Sequence, residues 1–131
     1  MAMIHEKFSS ADWKTEKHVP VIEAAGEVEK GKALTVTVSV GKQVAHPNTT
    51  EHHIRWIQVY FFPEGSKFPY QIGSFEFTAH GASTEGPNTS GVFTQPVVNC
   101  AFTTEKSGTI MASSYCNIHG LWENSAVVKV V

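Results

Sequence analysis

Charge, cysteine and long apolar runs are all scarce in this sequence. Only 17% of its 131 residues are charged, Arg55 is the single arginine, and no basic run occurs. With a formal net charge of −2, the chain lacks the electrostatic footprint of a nucleic-acid binder. Two cysteines, Cys100 and Cys116, are too few for a disulfide scaffold. The most apolar stretch, Ile54 to Phe62, contains Arg55 and Gln58 and is too short to cross a bilayer. The N-terminal residues MAMIHEKFSSADWK contain no apolar core of signal-peptide length. Together these absences predict a cytoplasmic protein with neither a membrane nor a nucleic-acid partner. No window of a dozen residues carries a helical period either.

What is present is alternation of period two. In ALTVTVSV, Leu34, Val36, Val38 and Val40 face one way and Thr35, Thr37 and Ser39 the other, as in a half-buried strand. Similar runs cover 54–62, 70–80, 97–104, 109–115 and 126–131, with a short strand over 19–24. Turn-forming clusters such as EGSKFP, TEGPNTSG and EKSG separate them. A hydrophobic fraction of 41% suffices for one core. The expectation is an all-β single domain, an antiparallel immunoglobulin-like β-sandwich of about seven strands.

The residues that carry chemistry fall in the loops and strand ends. Cys116-Asn117-Ile118-His119-Gly120 puts a thiolate and an imidazole on one turn, whose backbone N–H groups can point at the sulfur. His46 and His52 flank the turn PNTT and can fold back onto one point, while His18 follows Glu16 and Lys17. His52 and adjacent His53 point to opposite faces of an extended chain, so parity leaves open which one ligates. Five donors are one more than a closed tetrahedral zinc site takes, so a six-coordinate metal would keep an open position. Cys100 alternates with Val98 and Phe102 and reads as a small buried hydrophobe. His5 lies in an N-terminal arm and His80 reads as structural. Trp13, Trp56 and Trp122 read as core or interface aromatics, with Trp122 close enough to wall the site.

The segments TEKHVPVIE, HPNTTEHHIRWI, EFTAHG, GPNTSGV and SYCNIHGLWE, in that order, resemble the superoxide reductases. The similarity is to the one-iron type often called neelaredoxin, related to the C-terminal domain of desulfoferrodoxin, and runs from Trp13 to Glu123. The resemblance implies a mononuclear non-haem iron held by His18, His46, His52 and His119, with Cys116 trans to the open position. It favours His52 over His53, because the family's ligand directly follows the motif's glutamate. It implies that Glu16 caps the sixth position in the resting ferric state, and that Lys17 draws in superoxide and orders protons. The implied reaction is one-electron reduction of superoxide to hydrogen peroxide, in defence against oxidative stress. The implied partners are a rubredoxin-like external electron donor and further copies in a homotetramer. Residues 1–12 form an arm on this reading and 13–131 the iron domain; a four-cysteine iron site cannot be built from two cysteines. The alternatives are a superoxide dismutase-like activity, a copper or iron electron-transfer sandwich, and a structural zinc domain. A copper site would lack a methionine after His119, and zinc would leave a donor unused.

Overall fold

The structure, a computed structural model, describes residues 1–131. Eight strands follow a short 3-10 turn at Ile4–Lys7: β1 (Val21–Glu23), β2 (Glu27–Val28), β3 (Leu34–Ser39), β4 (Ile54–Pro63), β5 (Tyr70–Glu76), β6 (Val97–Phe102), β7 (Gly108–Cys116) and β8 (Gly120–Val130). They form a three-stranded sheet, β1-β3-β6, and a five-stranded sheet, β2-β8-β7-β4-β5. All pairings are antiparallel except that of the two-residue β2, which runs parallel to β8. The all-β sandwich expected from the alternation is what forms. Val36 and Val38 of one sheet pack with Ile57, Val59, Ile110, Ala112 and Val128 of the other in a continuous buried cluster. No helix is long and apolar enough to cross a membrane.

Three differences from the sequence reading have local causes. β8 begins at Gly120, six residues before the apolar run at 126–131, because Glu123, Asn124 and Ser125 hide its first half from a hydrophobic pattern. β5 stops at Glu76, and the chain to His80 turns away to exchange hydrogen bonds between Ala79 and Thr94. In β4, Ile54 and Ile57 are both buried although three residues apart, because the register shifts between Ile54 and Trp56. Such a bulge re-aims side chains at the end of a sheet.

Topology puts the C-terminal end of β3, the start of β4, the end of β7 and the start of β1 on one rim. Val21 pairs with Ser39 there and Ile54 with Cys116. The loops that leave this rim carry every expected donor. The N-terminal arm docks on the same side: Ser9 bridges to Trp122 and exchanges hydrogen bonds with Leu121 and Glu123.

Candidate metal centre

Cys116 closes β7 with its side chain fully buried in the core, so the sulfur forms the floor of the rim. Gly120, at φ 80°, permits the tight return into β8 that keeps His119 next to it. The His119 N–H donates to Cys116 Sγ at 3.4 Å, and His119 Nδ1 lies 3.9 Å from the sulfur. The Asn117 N–H is directed instead to the carbonyl of His53. His18 is brought across from the other sheet: Ser114 Oγ donates to the His18 carbonyl at 3.2 Å and Asn124 Nδ2 to that of Pro20 at 2.9 Å. Gly41 has φ 92°, and a Cβ there would sit 2.8 Å from the backbone nitrogen of His46, so the loop reaches the site only with glycine at this point.

Donor atoms of His18, His52, Cys116 and His119 all lie within 4.8 Å of one another. His46 stands beside this set, its ring centroid 4.9 Å from that of His18 and 4.8 Å from that of His52. His53 faces away and stacks on His80, with centroids 3.4 Å apart. His5 is exposed in the 3-10 turn. Cys100 is half-buried against the core, where burial pushes its thiol pKa up, and both cysteines are free.

The hydrogen bonds decide which ring nitrogens are available. Carbonyl and carboxylate oxygens only accept, so His46 Nδ1 donates to the Pro47 carbonyl at 2.6 Å and His18 Nδ1 to Glu16 Oε1 at 2.9 Å. Each ring therefore presents a bare Nε2, the arrangement in which a second partner fixes the tautomer of a metal-binding histidine. Glu16 also accepts from the His18 backbone N–H, so here its carboxylate sits on His18. Trp122 walls the site: it stacks on the His18 ring at 4.8 Å and 13°, and its Nε1–H donates to the His119 carbonyl at 3.2 Å. The sequence offered no signal for this double contact beyond proximity.

These residues suit a cation. His46 Nε2 and His52 Nε2 are buried polar atoms with no hydrogen-bond partner, a costly arrangement that a metal ion would relieve. Burial is the main reason that the pKa values of His18, His46 and His52 are lowered, His46 to about 4. The imidazoles are consequently neutral near pH 7, the state that binds metals. Nearby positive charge lowers them further, that of Lys17 in all three cases. Three imidazoles and a cysteine sulfur within 4.8 Å, with a fourth imidazole alongside, can hold iron, copper or zinc by donor chemistry alone.

Known proteins narrow the choice. Residues 10–125 match the family described as desulfoferrodoxin. The superoxide reductase of Pyrococcus furiosus is 57% identical, with 97% of this chain and 100% of that protein covered. Neelaredoxin of Megalodesulfovibrio gigas is also 57% identical, over 95% of this chain and 96% of its own. The solved structure of superoxide reductase (neelaredoxin) from Archaeoglobus fulgidus in the reduced form superposes with a TM-score of 0.88 at 60% identity, covering 95% of this chain and 99% of that one. Agreement of this kind extends over almost the entire sandwich and all the rim loops, and the chain belongs to the desulfoferrodoxin family.

Proposed function

We propose that this chain is a superoxide reductase, converting superoxide to hydrogen peroxide at a mononuclear iron held by His18, His46, His52, His119 and Cys116. The observation that carries the proposal is the convergence of bare imidazole nitrogens on a buried sulfur at one rim. Iron held by this set supplies the one electron that superoxide takes up. Two protons complete the balance, one on each oxygen, and the product leaves as hydrogen peroxide.

The chain's own residues do the rest. Lys17 offers its ammonium to an arriving anion; its charge already bears on three of the histidines. Steering of this kind raises association rates by roughly tenfold or more. Lys17 also orders the water that delivers protons. Glu16 fixes the tautomer of His18 when it sits on that ring, and its carboxylate would be the further group to reach a ferric iron when no substrate is bound. Cys116 would hold the iron from the core side and donate electron density to it, with the hydrogen bond from the His119 N–H tuning the sulfur.

Residues 13–131 form the iron domain and 1–12 an arm on this reading. The electron is replaced from outside by a rubredoxin-like donor, and the protein works in the cytoplasm against oxidative stress. A homotetramer would cover exposed apolar side chains on the outer face of the large sheet, where Phe62 and Val127 lie on either side of Thr109. Protein loaded with ferrous iron should bind one metal per chain and be oxidised rapidly by pulse-generated superoxide. Failure to bind iron, or indifference to superoxide, would overturn the proposal.

A further inference from the structure

Among the histidines of the centre, His52 lacks one feature. His18 and His46 each have a ring nitrogen held by an oxygen acceptor and His119 Nδ1 faces His18 Nε2 and Cys116 Sγ, whereas no protein group hydrogen-bonds to the His52 ring. Metal-ligating histidines are ordinarily oriented through that second nitrogen. The position of His52 therefore depends on its backbone: Thr49 bonds the His52 N–H and carbonyl, and two asparagines hold the residues on either side.

Asn117 spans His52. Its Oδ1 accepts from the His53 N–H at 2.9 Å, and its Nδ2 donates to the Glu51 carbonyl at 2.9 Å. Its backbone N–H donates to the His53 carbonyl at 3.2 Å. Two of these bonds tie the peptides on either side of His52, and the third ties the peptide after His53, to the turn that carries Cys116 and His119.

Asn88 holds the preceding residues. Its Oδ1 accepts from the Thr50 N–H at 2.9 Å, and its own N–H donates to Thr50 Oγ1 at 3.0 Å. Its Nδ2 reaches both carboxylate oxygens of Glu51, at 3.1 and 2.9 Å. The Thr50 hydroxyl in turn donates to the His80 carbonyl at 2.6 Å. Asn88 is the only non-glycine residue with positive φ, at 58°. Asparagine tolerates that region better than most residues, and here the conformation aims both its backbone and its side chain at the ligand loop. The GPNTSGV segment, which contributes no donor, thereby acquires a purpose.

We infer that Asn88 and Asn117 are positioning residues of the metal centre, which hold His52 beside Cys116 and His119 without touching the metal. The inference rests on the reading of His52 as a ligand. Cobalt(II) titration of the metal-free protein tests it, because the visible cobalt spectrum reports coordination geometry as well as affinity. The variants are Asn117→Ala, Asn88→Gly and His52→Ala, each checked for folding by circular dichroism before metal is added. Asn88→Gly keeps positive φ accessible and removes only the side-chain bonds. We expect each asparagine variant to bind cobalt roughly ten- to a hundredfold more weakly, with a shifted spectrum. Wild-type affinity and spectrum in a folded Asn117→Ala or Asn88→Gly protein overturn the inference. If Asn117→Ala does not fold, Asn88→Gly decides alone. If His52→Ala itself binds cobalt as the wild type does, the ligand assignment fails, and the positioning role with it.

Discussion

Nε2 of His18 and Nδ1 of His119, 101 residues apart in sequence, stand 3.1 Å from each other. His18 already gives its Nδ1 proton to Glu16, so the nitrogen it turns toward His119 is a lone pair. Two imidazole nitrogens at this separation need a proton or a cation between them. His46 and His52 add two buried ring nitrogens with no partner. A metal ion here would satisfy these nitrogens together.

Metal should stabilise the fold. With free metal at a hundred times its dissociation constant, linkage gives about 2.7 kcal/mol. For a domain of this size that is a rise of roughly ten degrees in Tm. Differential scanning calorimetry with ferrous iron, and again after chelation, measures it; an unchanged Tm contradicts the shared-cation geometry.

Cys116 should colour the ferric protein through thiolate-to-iron charge transfer. Cys116→Ala is expected to abolish that band while leaving a folded sandwich, because it removes one buried sulfur from an otherwise intact core. A visible spectrum in both redox states reads this out, and a surviving band would remove Cys116 from the centre.

Lys17 should govern the approach of the anion. Lys17→Ala is expected to slow superoxide-driven oxidation of the ferrous protein several-fold to tenfold and to flatten its dependence on ionic strength. Pulse radiolysis across a salt series measures both. A wild-type rate would sink the steering role.

Acid should destabilise the metal-free protein. His46 titrates at about 4 when folded, against an ordinary value of 6.5. Between those values the unfolded chain binds more protons than the folded one, so stability falls as pH drops from 6.5 and levels off below about 4. His18, His52 and His80 are lowered in the same direction, each chiefly by burial. Urea titrations from pH 7.5 to pH 4 should show the midpoint falling through this window. A midpoint that rises on acidification would contradict the neutral-histidine assignment.

Much of this was legible in the sequence wherever burial follows a simple period. β3 reads directly from Leu34, Val36 and Val38, and β7 from its apolar alternation. The first half of β8 does not, because Glu123 and Asn124 face solvent or serve Pro20 rather than the core. Parity could not separate His52 from His53. The chain there is irregular, and the register shift beside Arg55 breaks the count from β4. The family resemblance favoured His52, and in the structure its ring joins the cluster while His53 stacks on His80. Spacing marked Cys116 and His119 as a pair, since a single turn holds them. It could not deliver His18, whose place depends on Ser114 and Asn124 from distant strands. The two asparagine clips were equally invisible, because they join segments that meet only in the folded chain.

The product balance when ferrous protein meets superoxide under anaerobic conditions separates reduction from dismutation. Reduction predicts one hydrogen peroxide for each superoxide consumed, one iron oxidised per turnover and no oxygen evolved. Dismutation would give half as much peroxide and an equal amount of oxygen with no net oxidation of the iron, and that result would rule out superoxide reduction as the activity.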